Sequence, residues 1–157
     1  MNARTLWILA VVTATLLALQ SRAATVTMSV SAVVPSANNC RFSTNTLTLD
    51  FGAIDPASAS NATKTVNGSF RCTGKGSVAT YALSVSDGQN PAGPGLRRMR
   101  HASGELLPYS VSVSPQSGSV PKGDIVTFSV TGTVLAMDFQ NARAGDYQDV
   151  ATITIVP

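Results

Sequence analysis

Alternation with a period of two recurs along the chain and decides what this sequence can fold into. Apolar residues take every second position at Leu47, Leu49 and Phe51, at Val66, Gly68, Phe70 and Cys72, and at Ala79, Tyr81, Leu83 and Val85. The same holds at Leu107, Tyr109, Val111 and Val113, at Val126, Phe128, Val130, Gly132 and Val134, and at Ala151, Ile153 and Ile155. Alternate side chains of a strand point to opposite faces, so each stretch has one face for a core and one for water. Beyond residue 23, no run of ten residues has helical period. Gly-, Pro-, Asn- and Ser-rich segments separate the stretches, and two of them, Ser86–Gly95 and Ser114–Asp124, read as turns.

Many short strands divided by such turns predict an all-β chain, a β-sandwich of the immunoglobulin kind. No linker, charge block or internal repeat divides it. One further stretch alternates most strictly. In Ala24–Val34 the apolar residues Val26, Met28, Val30, Ala32 and Val34 interleave with Thr25, Thr27, Ser29 and Ser31. It lies before the first cysteine, outside any disulfide loop, so it can leave its own domain. At the other terminus Val150–Val156 reads as apolar on both faces, as a central strand does. With no strand after it in the sequence, an open edge is expected beside it.

Residues 1–23 read as a signal peptide. A short basic start, Asn2-Ala3-Arg4, precedes the apolar run Leu6–Leu19, and Ser21-Arg22-Ala23 places small residues for a cut before Ala24. The run is shorter than the roughly 20 residues of a membrane span. Removing this segment removes Arg4 and Arg22, so the 11 Lys and Arg fall to 9 against 8 Asp and Glu, a net of +1. A nearly neutral chain has little to attract nucleic acid or an anionic membrane. After export, Cys40 and Cys72 are the two thiols left, and an oxidising compartment favours a disulfide between them.

Chemistry-bearing residues are sparse. There is no Cys-x-x-Cys and one histidine, His101, so no four-ligand metal set is expected, and no cofactor. His101 follows Arg97, Arg98 and Arg100 and reads as a solvated turn residue rather than a catalytic base. Asp146 and Asp149, around Tyr147, read as turn formers and solubilising charge. The cluster Arg97–His101 could take anions, but cations in a loop or edge strand that suppress unwanted pairing are the plainer reading. Asn61-Ala62-Thr63 and Asn67-Gly68-Ser69 match the N-glycosylation pattern, which arises often by chance.

Read in order, the motifs are Cys40, Leu49-Asp50-Phe51-Gly52, Phe70-Arg71-Cys72-Thr73, Arg98-Met99 after a Gly-rich loop, Leu107-Pro108-Tyr109, and Gly145-Asp146-Tyr147-Gln148-Asp149 before the closing Thr-Ile-Thr-Ile. In this order the chain resembles the spore coat protein U domain family, which includes subunits of archaic, Csu-type chaperone–usher pili. The resemblance implies an incomplete immunoglobulin-like β-sandwich that lacks its last strand and is completed by a donor strand from a neighbouring subunit. It implies three partners: a periplasmic chaperone that fills the gap first, an outer-membrane usher, and other copies of the chain or related pilins. Ala24–Val34 lies where the donor strand belongs, with Val26, Met28, Val30, Ala32 and Val34 as its inserting side chains.

The expected organisation is residues 1–23 as signal peptide, 24–39 as donor strand and short link, and 40–157 as the sandwich domain. The expected function is that of a secreted pilin, not an enzyme. It would polymerise by donor-strand exchange into surface pili for adhesion and biofilm formation, passing through the periplasm to the cell surface. A spore or cell coat protein of the same fold is one alternative. A self-contained carbohydrate-binding module is another, weakened by the poor supply of aromatics once Trp7 leaves with the signal. Intact-mass measurement of the exported protein should give a chain beginning at Ala24; a product retaining Leu6–Leu19 would make the run an anchor.

Overall fold

The computed structural model describes residues 28–32 and 38–157. The signal segment and two of the expected inserting residues, Val26 and Val34, lie outside the described residues. The chain divides into two units, Met1–Val33 and Val34–Pro157. In the first, residues 28–32 belong to no helix or strand, and Met28 and Val30 are each 79% exposed.

The second unit is a two-layer β-sandwich. In chain order its elements are β1 (Asn38–Phe42), β2 (Ala62–Gly74), β3 (Val78–Val85), β4 (Arg97–His101), β5 (Leu106–Ser114), β6 (Ser117–Pro121), β7 (Ile125–Val134), the single turn of helix α1 (Ala136–Phe139), β8 (Tyr147–Gln148) and β9 (Ile153–Val156). All pairings are antiparallel. One sheet has six strands in the order β1-β2-β7-β5-β4-β8, and the other has three in the order β6-β3-β9.

The alternation places the core. Phe70 and Cys72 of β2, Ala79, Tyr81 and Leu83 of β3, and Phe128 and Val130 of β7 form one buried cluster. Phe70 meets Tyr81 of the facing sheet edge to face, with ring centroids 4.7 Å apart, a favoured aromatic geometry. Gly68 stands opposite Phe128 in the β2–β7 ladder, where a Cβ would overlap the Phe128 ring. A second cluster, Leu107, Val134 and Phe139, closes the end of the sandwich below α1.

Four expectations are corrected. Leu47–Phe51 joins no ladder. Its side chains lie against glycines of the large sheet: Leu47 against Gly68, and Leu49 and Phe51 against Gly132. The segment is a strap held by packing. Ser114–Asp124 is not all turn, because β6 pairs with β3 from Val78↔Pro121 to Ala82↔Ser117. Arg97–His101 is a strand inside the six-stranded sheet, between β5 and β8. Val150–Val156 is not buried on two faces: β9 is an edge strand, Ile153 and Ile155 face the core, and Val150 and Val156 are 65% and 57% exposed.

Cys40 and Cys72 are directly opposite in the β1–β2 ladder and form a disulfide, with Cα atoms 4.0 Å apart. It closes a loop with a sequence separation of 32. Chain-entropy reasoning gives such a crosslink about 3–4 kcal/mol. Replacing both cysteines by serine should therefore lower unfolding stability by about that amount in urea denaturation; an unchanged midpoint would contradict it.

Candidate functional site: an open groove beside the last strand

The two sheets are unequal, and the small one leaves part of the large one uncovered. A groove of about 1000 Å³ opens there. Its floor is apolar, with Val66, Val111 and Val130 from the large sheet. One wall is the strap Leu47–Ile54. The other runs from Ala142 through β8 to Ile153 of β9. β9 pairs with β3 on one side only, and the strap joins no ladder. Both walls thus carry backbone groups outside any sheet ladder, the condition under which an added strand gains main-chain hydrogen bonds.

The second wall is anchored from several sides. Asp149 accepts hydrogen bonds from the Tyr109 hydroxyl (2.7 Å) and the Gln89 backbone N–H (2.8 Å). Gly88 makes this possible, because a Cβ there would overlap the Asp149 carboxylate. Asp149 is thus a structural acceptor, correcting the expectation of a solubilising turn charge. Burial pushes the Tyr109 hydroxyl well above its ordinary pKa, and its bond to the Asp149 carboxylate adds to the rise. Two residues earlier, in β8, the Tyr147 ring packs on His101 at 5.2 Å, and its hydroxyl donates to the Arg143 carbonyl at 3.0 Å.

His101 is a half-buried strand residue rather than a solvated turn residue. Its Nδ1 lies at hydrogen-bond distance from the Ser103 hydroxyl, which donates to Glu105, and Arg143 reaches Glu105 at 3.3 Å. The hydrogen bond from Ser103, aided by Arg143, holds the Glu105 carboxyl down to about 2. This trio does not make a nucleophile. The serine donates to the carboxylate, whereas activation needs it to donate to the imidazole.

The basic cluster resolves the same way. Arg97 is buried and donates to the carbonyls of Val85 and Ser86, each at 2.7 Å, beside Asp87 at 3.7 Å. Arg98 donates to the carbonyls of Asn90 and Pro91 at 2.9 and 3.0 Å. These two guanidiniums clamp the β3–β4 loop, and their forked donors fit paired carbonyls. A strand rich in arginine gave no sequence sign of this, because the acceptors are backbone oxygens. Among the described residues, no cluster of three or more His, Cys, Asp or Glu is placed to hold a metal, and no helix is long and apolar enough to cross a membrane.

Of the expected inserting residues, Met28, Val30 and Ala32 are described and exposed. The fold and site define a class: a disulfide-bonded, all-β sandwich with an apolar groove open along one edge. The chain belongs to the Spore Coat Protein U domain family, whose sequence profile matches residues 24–154. None of the curated proteins compared with it matches in sequence. Two solved structures are similar in outline. One is the CsuC–CsuE chaperone–tip adhesion subunit pre-assembly complex from archaic chaperone–usher Csu pili of Acinetobacter baumannii, at 16% identity and a TM-score of 0.48. The other is a chaperone–tip adhesin complex of CFA/I fimbriae biogenesis, at 11% identity and a TM-score of 0.46. The similarity covers 75% and 76% of this chain but 39% and 41% of theirs, so the chain spans about two-fifths of each.

The Tyr109–Asp149 bond carries a pH signature. A hydroxyl whose pKa is raised on folding contributes fully below pH about 10 and loses that contribution as pH rises further. Tyr109→Phe should lower stability at pH 7 by about 2 kcal/mol and flatten its decline above pH 10. Chemical denaturation at pH 7, 9.5 and 11 checks both; an unchanged alkaline slope would count against it.

Proposed function

We propose that the chain is a chaperone–usher pilus subunit that polymerises by donor-strand exchange. The observation that carries this reading is the groove: an apolar trough between the strap, which joins no ladder, and β9, whose outer edge has no strand beside it. Family membership supports it. Residues 24–34 of one copy would lie between β9 and the strap of the next, completing the small sheet while Val26, Met28, Val30, Ala32 and Val34 enter the trough. A periplasmic chaperone would occupy the groove first, and an outer-membrane usher would direct the exchange. Surface adhesion and biofilm formation then follow from the fibre rather than from any one subunit.

Magnitudes are adequate. Four large apolar side chains at about 1.5–3 kcal/mol each give roughly 6–12 kcal/mol, from which the costs of ordering are subtracted. A carbohydrate-binding module is disfavoured by the tyrosines: Tyr81 is buried, and Tyr109 and Tyr147 are half-buried and engaged through their hydroxyls.

Val30→Asp separates insertion from folding. Its carboxylate would enter the trough unpaired, at a cost of several kcal/mol. Ser29→Asp changes the opposite face and should be tolerated. Expressed with chaperone and usher, Val30→Asp should give capped subunit without fibres and Ser29→Asp should give both. Equal fibre yields would refute the donor assignment. Loss of the capped subunit as well would place the segment in its own domain's core.

A further inference from the structure

The charges of the sandwich domain are divided between its two ends. The turns Gly74–Val78 and Pro121–Ile125 lie together with Asn38, since Asn38 pairs with Gly74, Val78 pairs with Pro121, and the Gly123 N–H bonds to the Cys72 carbonyl. Arg41, Arg71, Lys75 and Lys122 belong to this half, with Asp124 as its one carboxylate, a net of +3. The other half holds α1, the strap and the β8 wall. It carries seven carboxylates against five cations, a net of −2. Two of those cations, Arg97 and Arg98, are spent on loop carbonyls, and Arg143 is paired with Glu105.

Among the described residues, none of Arg41, Arg71, Lys75 and Lys122 is in an ion pair, nor is any of Asp50, Asp55, Asp138 and Asp146. Each end also exposes large apolar side chains: Val78 and Ile125 at 53% and 63% on the basic end, Leu135 and Met137 at 43% and 72% on the acidic end. The 13 residues of β2 span the distance between the ends, roughly 40 Å at about 3.3 Å per residue. Screening acts over about 8 Å in physiological salt, so the two ends cannot neutralise each other within one molecule.

From this we infer that the basic end of one copy docks on the acidic end of the next, an interface between copies additional to the inserted strand. The inference rests on the proposed strand exchange. The contact follows from a strand inserted antiparallel to β9. β9 runs from the acidic half, where Ile153 pairs with Val85, toward the basic half, where Val156 pairs with Ala82. A strand inserted antiparallel to β9 leaves the acceptor at its acidic end. There it meets the donor's own Asn38, at the donor's basic end. Parallel insertion would bring two basic ends together. The complementary contact raises the rate of productive encounter.

The test is charge reversal at exposed (Lys75, Asp55) and half-buried (Lys122, Asp138) positions outside the inserted strand. Purified wild type, Lys75→Glu with Lys122→Glu, Asp55→Lys with Asp138→Lys, and all four together are followed for polymer growth by unboiled gel ladders and negative-stain microscopy, at 20 and 500 mM NaCl. The inference expects each double variant to elongate about tenfold more slowly than wild type at low salt, with the gap closing at high salt. It expects the fourfold variant, with its ends exchanged in sign, to recover. Thermal melts check folding, and the lysine pair, in two turns, carries the test if the aspartate pair lowers stability. Wild-type rates in the double variants at both salts would overturn the docking contact alone. No polymer from wild type would overturn the strand-exchange reading and this contact with it.

Discussion

A six-stranded sheet cannot be covered by a three-stranded one, and the rest of the structure follows from that inequality. Apolar residues line the inner face of the large sheet along β2, β7 and β5. β6, β3 and β9 cover part of that face, giving the tightly packed cluster around Phe70, Tyr81 and Phe128. Past β9 the cover runs out. The strap and the β8 wall flank the remainder without closing it. An apolar surface left open along a strand edge is a liability for a solitary molecule and a binding site for one that assembles.

Glycine and arginine solve the local problems this creates. The strap has no ladder to hold it, so it is seated where Gly68 and Gly132 leave room for Leu47, Leu49 and Phe51. The β3–β4 loop is long and polar, and Arg97 and Arg98 gather its carbonyls. Buried backbone oxygens need donors, and a guanidinium on a neighbouring strand supplies several at once. Asp149 does the converse, collecting donors from Tyr109 and Gln89.

The inward faces of β2, β3, β5 and β7 were legible in the sequence, residue by residue, because burial on one side imposes period two. What period two does not report is whether the backbone has a neighbour. Leu47–Phe51 alternates like a strand and pairs with nothing, and Val150–Val156 looked central and is an edge. β6 was hidden by Ser117, Gly118, Ser119 and Pro121, residues tolerated in an outer strand with a single inward Val120. β4 was hidden by its charges, whose partners are backbone atoms without sequence identity. The groove was foreshadowed by the expected open edge, but its anchored wall depends on contacts such as Tyr109–Asp149, 40 residues apart.

In a fibre of the kind proposed above, the disulfide would have a mechanical meaning. If tension passes from copy to copy through the N-terminal segment, it enters the sandwich at Asn38, the first residue of β1. β1 is short and lies at the margin of the large sheet, bonded only to β2, so a pull along it would shear five residues' worth of ladder. Cys40, the third of those residues, is covalently tied to its cross-strand neighbour Cys72 in the longest strand of the domain. Load would therefore bypass the weakest ladder and spread into β2 and β7. Reduced fibres would be expected to part at their subunits' roots, and oxidised ones to hold there.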